Sequence, residues 1–201
     1  MNREITNSQK EIEAVAVLLM DGFAGKFQIL NLPKREQHYL LHCLAEHIIK
    51  NHRQKLLIIR DKSIKGILFI KPKRWHLIEF LIILCKQLSC KSIFKTFVFF
   101  CALDHSKKDN EIHIDFITVS KAYQGVGIGT QLIELVKSSA VNGQSVTLYV
   151  SKANIAARRL YERLGFQIKK EGKSIVGRHL HGINQWYLME WKGSNNHEKE
   201  I

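Results

Sequence analysis

Three stretches in the second half of the chain carry residues whose types and spacing suit chemistry. Residues 122–136 read AYQGVGIGTQLIELV, so Gly125, Gly127 and Gly129 fall within five positions and a helix-like run follows. The first turn of a helix carries unpaired N–H groups and a partial positive charge, and a glycine loop in front lets further N–H groups converge. That combination makes a nest for a phosphate or pyrophosphate, although the same glycines also suit a plain tight turn. Two familiar phosphate loops are excluded: the chain has no GxxxxGK[ST], and no GxGxxG with an acidic residue about twenty positions on. The second stretch, NIAARRLYERLGF, sets Asn154 and Tyr161 seven residues apart. Seven residues are two helical turns, so both side chains face one way, with the small Ala157 between them. In the third stretch, EIHIDFITV, the residues Glu111, His113 and Asp115 alternate along one face of a strand. An imidazole there, with an ordinary pKa near 6.5, is suited to taking a proton. The row equally suits a solvated strand face.

The elements that must position these residues follow from periodicity and turn signals. Ser8 and Glu11 have capping-box spacing, which predicts a helix from there to about Asp21. A second helix is expected from Lys34 to about Asn51, with Leu40, Leu41, Leu44 and Ile48 as its apolar stripe. QKLLIIR and IKGILFI, joined by Asp61-Lys62-Ser63, predict a β-hairpin, and two helical segments lie around Cys85 within residues 75–103. After the polar loop HSKKDN come the strand 111–119, the glycine loop, a helix to about Val141 and the strand SVTLYV. The ANIAARRLYERLG helix closes on Gly165, FQIKK and INQWYLMEW read as strands, and residues 193–201 form a polar tail. No Pro/Gly/Ser-rich linker or internal repeat divides the 201 residues, so residues 1–201 are read as one domain.

Composition narrows the class. Hydrophobic residues make up 45% of the chain, enough for a core and too many for a disordered protein. Against 18 Asp+Glu stand 31 Lys+Arg, a net charge of +13 that attracts a phosphorylated cofactor, nucleic acid or a membrane surface without choosing among them. The opening MNREITNSQKEI lacks the apolar centre of a signal peptide. Cys43, Cys85, Cys90 and Cys101 form no CxxC and read as free buried thiols of a cytoplasmic protein. The apolar run Leu77–Leu103 is interrupted by Glu79, Lys86, Lys91 and Lys95, which predicts two packed helices and no transmembrane segment. His38 and His42, and His179 and His181, are paired in sequence, but no carboxylate or cysteine completes a ligand set, so no metal is expected.

Taken together, the motifs resemble the GNAT superfamily of acetyl-CoA-dependent N-acetyltransferases. Gln124, Gly127 and Gly129 match its pyrophosphate loop [RQ]xxGx[GA]. Asn154, Ala157, Leu160, Tyr161, Gly165 and Phe166 match its signature NxxAxxLYxxxGF. The resemblance covers about residues 110–170. It implies an α/β (α+β) fold: a central, mixed, mostly antiparallel sheet of about six to seven strands, splayed between its two parallel central strands and flanked by helices, with residues 75–103 as a helical insertion. It also implies direct transfer of an acetyl group from acetyl-CoA to the primary amine of a small molecule or peptide, without a metal. The backbone of Gln124, Gly125, Val126, Gly127, Ile128, Gly129 and Thr130 would hold the pyrophosphate. Ile117, Thr118 and Val119 on the splayed strand, with Asn154 and Ala157, would meet the pantetheine arm, and the Ile117 N–H is a candidate for the oxyanion. Tyr161 would donate a proton to the leaving thiolate. His113, or failing it Asp115, would take the proton of the amine. Trp75, His76 and Tyr39 could line the acceptor pocket. The expected partners are acetyl-CoA and a small amine, in a monomer or homodimer, with no specific nucleic acid. Acetylation of an RNA-linked amine such as charged tRNA, or a non-catalytic basic module for nucleic acid or membrane, are the alternatives that the charge raises.

Overall fold

The computed structural model describes residues 2–28, 30–102, 110–141, 143–173 and 185–193. Its elements in chain order are α1 (Asn2–Gln28), α2 (Lys34–Asn51), β1 (Leu56–Arg60), β2 (Ile64–Ile70), α3 (Leu77–Leu84), α4 (Cys90–Ala102), β3 (Glu111–Val119), α5 (Ile128–Ser138), β4 (Ser145–Ser151), α6 (Ile155–Arg163), β5 (Gln167–Lys173) and β6 (Gln185–Lys192). Among the described residues the strands form one six-stranded sheet in the order β1-β2-β3-β4-β6-β5. Every pairing is antiparallel except β3 with β4.

Alternation along the strands separates two core layers. On one face Ile67 and Phe69 of β2 pack with Leu19 of α1 and with Leu40, Leu41, Leu44 and Ile48 of α2, the stripe expected from the sequence. On the other face Leu68, Ile114, Val146, Leu148 and Met189 pack with Leu132, Ile133 and Val136 of α5 and Tyr161 of α6.

The parallel pairing of β3 and β4 is short. It joins Glu111–Ile114 to Ser145–Leu148 and stops there. Both strands continue, β3 to Val119 along β2 and β4 to Ser151 along β6, so a wedge opens between them. A bulge marks the parting point. Phe69 pairs with Phe116 and Ile70 with Ile114, which leaves Asp115 as the extra residue. The extra residue resets the alternation, so Ile117 and Val119 join Ile112 and Ile114 on the α5–α6 face while Phe116 packs on the α1–α2 face. The expected single row of Glu111, His113 and Asp115 is therefore corrected: Glu111 and His113 are buried together, and Asp115 is exposed in the bulge.

Three other expectations are corrected. α1 does not begin at Ser8; it already runs from Asn2, because no proline or glycine precedes Gly22 and the capping-box residues are equally at home inside a helix. The helix after the glycine loop ends at Ser138. Of the four cysteines only Cys43 is buried, since Cys85, Cys90 and Cys101 lie on the outer side of the α3–α4 hairpin. That hairpin buries Phe80, Leu84, Leu88 and Phe99 in the first core layer and leaves Ile78, Ile82, Phe94 and Phe97 exposed. No helix among the described residues is long and apolar enough to cross a membrane.

α2 and α3 enclose a polar knot. The rings of His47 and His52 lie 5.5 Å apart, and Trp75 sits 5.2 Å from each, stacked on His52. His47 Nε2, His52 Nε2 and Trp75 Nε1 are buried without a hydrogen-bond partner among the described residues. Tyr39 donates its hydroxyl to the Ile83 carbonyl at 3.2 Å. Trp75 and Tyr39 thus serve the packing of α2 against α3.

Candidate active site

The wedge between β3 and β4 exposes backbone groups in a defined direction. The Ser120 N–H donates to Lys65 O at 2.9 Å, toward β2. Successive residues of a strand point their N–H and C=O to opposite sides, so those of Val119 and Ile117 face the wedge. The Val119 carbonyl accepts the side-chain N–H of Gln124 at 3.2 Å, which ties the glycine loop to the strand that precedes it. Thr118 is turned away: its hydroxyl donates to Leu18 O of α1 at 3.4 Å.

The loop then enters α5. Gly125 and Gly127 have φ of +81° and +87°, a left-handed conformation that side chains disfavour, and nothing lies within 4 Å of the Cβ position of either. Their bareness therefore serves backbone conformation and leaves open space in front of the loop. Gly127 is the N-cap of α5 with no side-chain cap, and the first intrahelical bond is Gln131 N–H to Gly127 O at 3.0 Å. The N–H groups of Ile128, Gly129 and Thr130 consequently have no acceptor inside the helix. A phosphate group would satisfy them, and the positive end of the helix favours its charge. Val126 is exposed beside them, and Ile128 is buried beneath. Gly129 does a different job: a Cβ there would lie 3.2 Å from Leu160 Cδ2, so its absence lets α6 approach α5.

α6 begins on Asn154, whose Oδ1 accepts the Ala157 N–H at 3.1 Å. Capping uses one end of the amide and leaves its Nδ2 donors available. α6 ends in a Schellman turn, with Phe166 N–H on Tyr161 O and Gly165 N–H on Glu162 O, both at 3.0 Å. This turn seats Phe166 with its ring centroid 5.9 Å from that of Tyr161. Tyr161 is only 5% exposed, and burial pushes its phenol up to about 12. It is protonated at any physiological pH, and its hydroxyl has no hydrogen-bond partner among the described residues.

Below the parting point, three buried groups are hydrogen-bonded across β3 and β4. Thr147 Oγ1 lies 2.8 Å from His113 Nδ1 and donates to Glu111 Oε1. His113 is 2% exposed. Its ring meets Tyr149 edge-on at 5.3 Å, and Tyr149 in turn meets Trp186 at 5.0 Å. Burial, reinforced by the negative charge of Glu111, raises the Tyr149 phenol. Trp186 lies across Gly172, where a Cβ would come within 2.2 Å of its ring.

Of the residues singled out from the sequence, the structure gathers Ile117, Val119, the loop Gln124–Thr130, Asn154 and Tyr161 from elements that converge on the wedge. His113 lies just below it, Thr118 points to α1, and Asp115 is exposed at the parting point. Sequence reasoning missed Thr147, Tyr149 and Trp186. The only local signal for the first two is their alternation along SVTLYV, and their partners lie on other strands.

Comparisons with known proteins bear on the family and the fold. Residues 33–166, more than half of the chain, match the Acetyltransferase (GNAT) family. A curated relative, the 5-NmdU N-acetyltransferase of Pseudomonas phage PaMx11, is 32% identical over 88 residues. That match covers 44% of this chain and 60% of the relative, so the chain spans less than two thirds of the relative's length. Among solved structures, an N-acetyltransferase from Staphylococcus aureus Mu50 aligns with a TM-score of 0.65 at 17% identity, over 91% of this chain and 96% of that one. The histone acetyltransferase HPA2 and related acetyltransferase from Corynebacterium glutamicum aligns at 0.59 and 18%, over 90% and 91%. These likenesses show the fold.

Proposed function

Because the chain belongs to the GNAT acetyltransferase family, we propose that it transfers an acetyl group from acetyl-CoA to a primary amine, by direct attack of the amine while both substrates are bound. The observation that carries the reading is the uncapped N-terminus of α5 behind two left-handed glycines, set at the mouth of the wedge. Bound acetyl-CoA would supply an acyl group already activated as a thioester. The N–H groups of Ile128, Gly129 and Thr130 hold its pyrophosphate. The outward backbone of Ile117 and Val119, with Nδ2 of Asn154, holds the pantetheine arm as a neighbouring strand would. The Ile117 N–H is a donor for negative charge growing on the carbonyl oxygen, a position where one hydrogen bond is worth more in the transition state than before it. Tyr161 donates its phenolic proton, or a strong hydrogen bond, to the departing sulfur. An alkylamine with a pKa near 10.4 arrives charged, and His113 takes its proton.

Screening amines for release of free CoA thiol tests the reading. A turnover that needs both substrates supports it, and calorimetry with acetyl-CoA that gives no binding heat rejects it. Replacing Gly127 with alanine strains the loop by roughly 1–2 kcal/mol and sets a methyl group before the phosphate nest. Gly127→Ala is therefore expected to weaken acetyl-CoA binding at least about tenfold, and to lower the melting temperature by about 2–8 °C.

A second reading places the amine on nucleic acid. The net charge of +13 favours it. The same screen should therefore include 5-NmdU, the acceptor in the phage relative's name. Acetylation of free amines with no turnover of the same amine carried on RNA or DNA would reject a polyanionic acceptor.

A further inference from the structure

We propose that Thr147 and Glu111 are positioning residues that fix the tautomer of His113 and hold its basic nitrogen at Nε2. The inference rests on the reading of His113 as the proton acceptor. It comes from counting donors. Glu111 lines a cleft of about 390 Å³ with Lys192 and the ion-paired Lys169 and Glu190. A threonine hydroxyl has one proton to give. Thr147 gives that proton to Glu111. Its oxygen can then only accept from His113, 2.8 Å away, so Nδ1 carries the ring hydrogen. A neutral imidazole protonated at Nδ1 keeps its lone pair on Nε2. When Nε2 takes a proton from the amine, the new positive charge lies beside Glu111, whose Oε1 is 3.7 Å from Nδ1. Titratable neighbours of the ring include Glu111 on its own strand and Tyr149 on β4. Thr147 is fully buried, so the chain of three cannot be replaced by water without opening the sheet. The arrangement has the logic of a carboxylate-oriented histidine, with a hydroxyl inserted between the two.

The test uses the full chain with 15N-labelled histidine, the His113 signal being assigned by its loss in His113→Gln. At pH 8 the ring of the wild type is expected to be the Nδ1–H tautomer, and Thr147→Val is expected to convert it to a mixture. Thr147→Val should lower kcat about tenfold at unchanged KM for acetyl-CoA, and Thr147→Ser should restore it to within about threefold. Glu111→Gln keeps an acceptor for Thr147 but removes the charge, so the acidic limb of kcat/KM should move about one unit toward lower pH. An Nε2–H tautomer in the wild type overturns the proposal whatever the kinetics. So does a Thr147→Val enzyme that is slow yet keeps both the wild-type tautomer and the wild-type pH profile, because that is the mark of packing alone. If the tautomer is as stated but His113→Gln turns over like the wild type, the positioning survives and the assignment of His113 as base falls.

Discussion

Phenylalanine at position 161 is expected to lower kcat by roughly a hundredfold while acetyl-CoA binds as before. The argument starts from burial. Tyr161 keeps its proton because its phenol is raised to about 12 by its apolar surroundings. A group so reluctant to ionise is a poor acid at rest. It becomes an effective donor only when a strong acceptor appears beside it, and a departing thiolate, with a conjugate-acid pKa near 8.5, is such an acceptor. In the proposed role the hydroxyl would act in the transition state and contribute little to ground-state binding, which is the pattern that lowers kcat alone. Positioned proton donors contribute typically about 10²-fold or more. Tyr161→Phe retains the ring that packs on Phe166, so the helix cap and the core survive. Steady-state kinetics with a calorimetric Kd decide the matter. A kcat within twofold of the wild type would remove Tyr161 from the chemistry. No inflection near pH 8 should be traceable to this residue.

Acidification is expected to unfold the protein from the α2–α3 contact. His47 is buried, and its basicity is depressed to about 4, first by burial and then by the neighbouring rings of His52 and His76, with Glu79 pulling weakly the other way. Asn51 Nδ2 lies 3.1 Å from His47 Nδ1. An amide nitrogen only donates, so Nδ1 holds the lone pair, and protonating it breaks this bond as well. The unfolded chain takes up its proton near pH 6.5, well before the folded one does. Stability contributed by the neutral ring is complete above pH 6.5 and is lost as pH falls toward 4. About 2 kcal/mol is lost by pH 5, and about 3 kcal/mol in all. His52 is depressed in the same direction by burial and by His76, which steepens the decline. Urea unfolding at pH 7.5, 6 and 5 measures the slope. His47→Leu should flatten it, and a slope that stays put in that variant refutes the account.

The elements of the second half were legible because their signals are local. Glycines at 125 and 127, the Asn154–Tyr161 spacing and the Gly165 cap are each set by a few adjacent residues whose backbone demands do not depend on the rest of the chain. α2 was legible for the same reason, its stripe being complete within one helix. What escaped needed a partner. The bulge at Asp115 exists only because β2 offers one residue fewer than β3 between Ile114 and Phe116. Without it, Glu111, His113 and Asp115 look equivalent. Thr147 looks like any β-branched strand residue until parallel pairing sets it against His113. The exposure of three cysteines depends on which side of the α3–α4 hairpin meets α2. In α1 the capping pair was a true local signal that the surrounding helix simply absorbed.

The α3–α4 hairpin has a consequence for how the chain assembles itself. β1 and β2 are joined by three residues, whereas residues 71–110 separate β2 from β3, although the two strands lie side by side. Closing so long an excursion costs more chain entropy than a tight turn does, by about 2–3 kcal/mol at roughly 0.6 kcal/mol per doubling. The first strand pair can nucleate at once, but β3 must wait until the intervening helices have collapsed onto α2 and brought Ile114 back beside Ile70. The wedge between β3 and β4, built on the far side of that excursion, is thus among the last parts of the sheet to be completed.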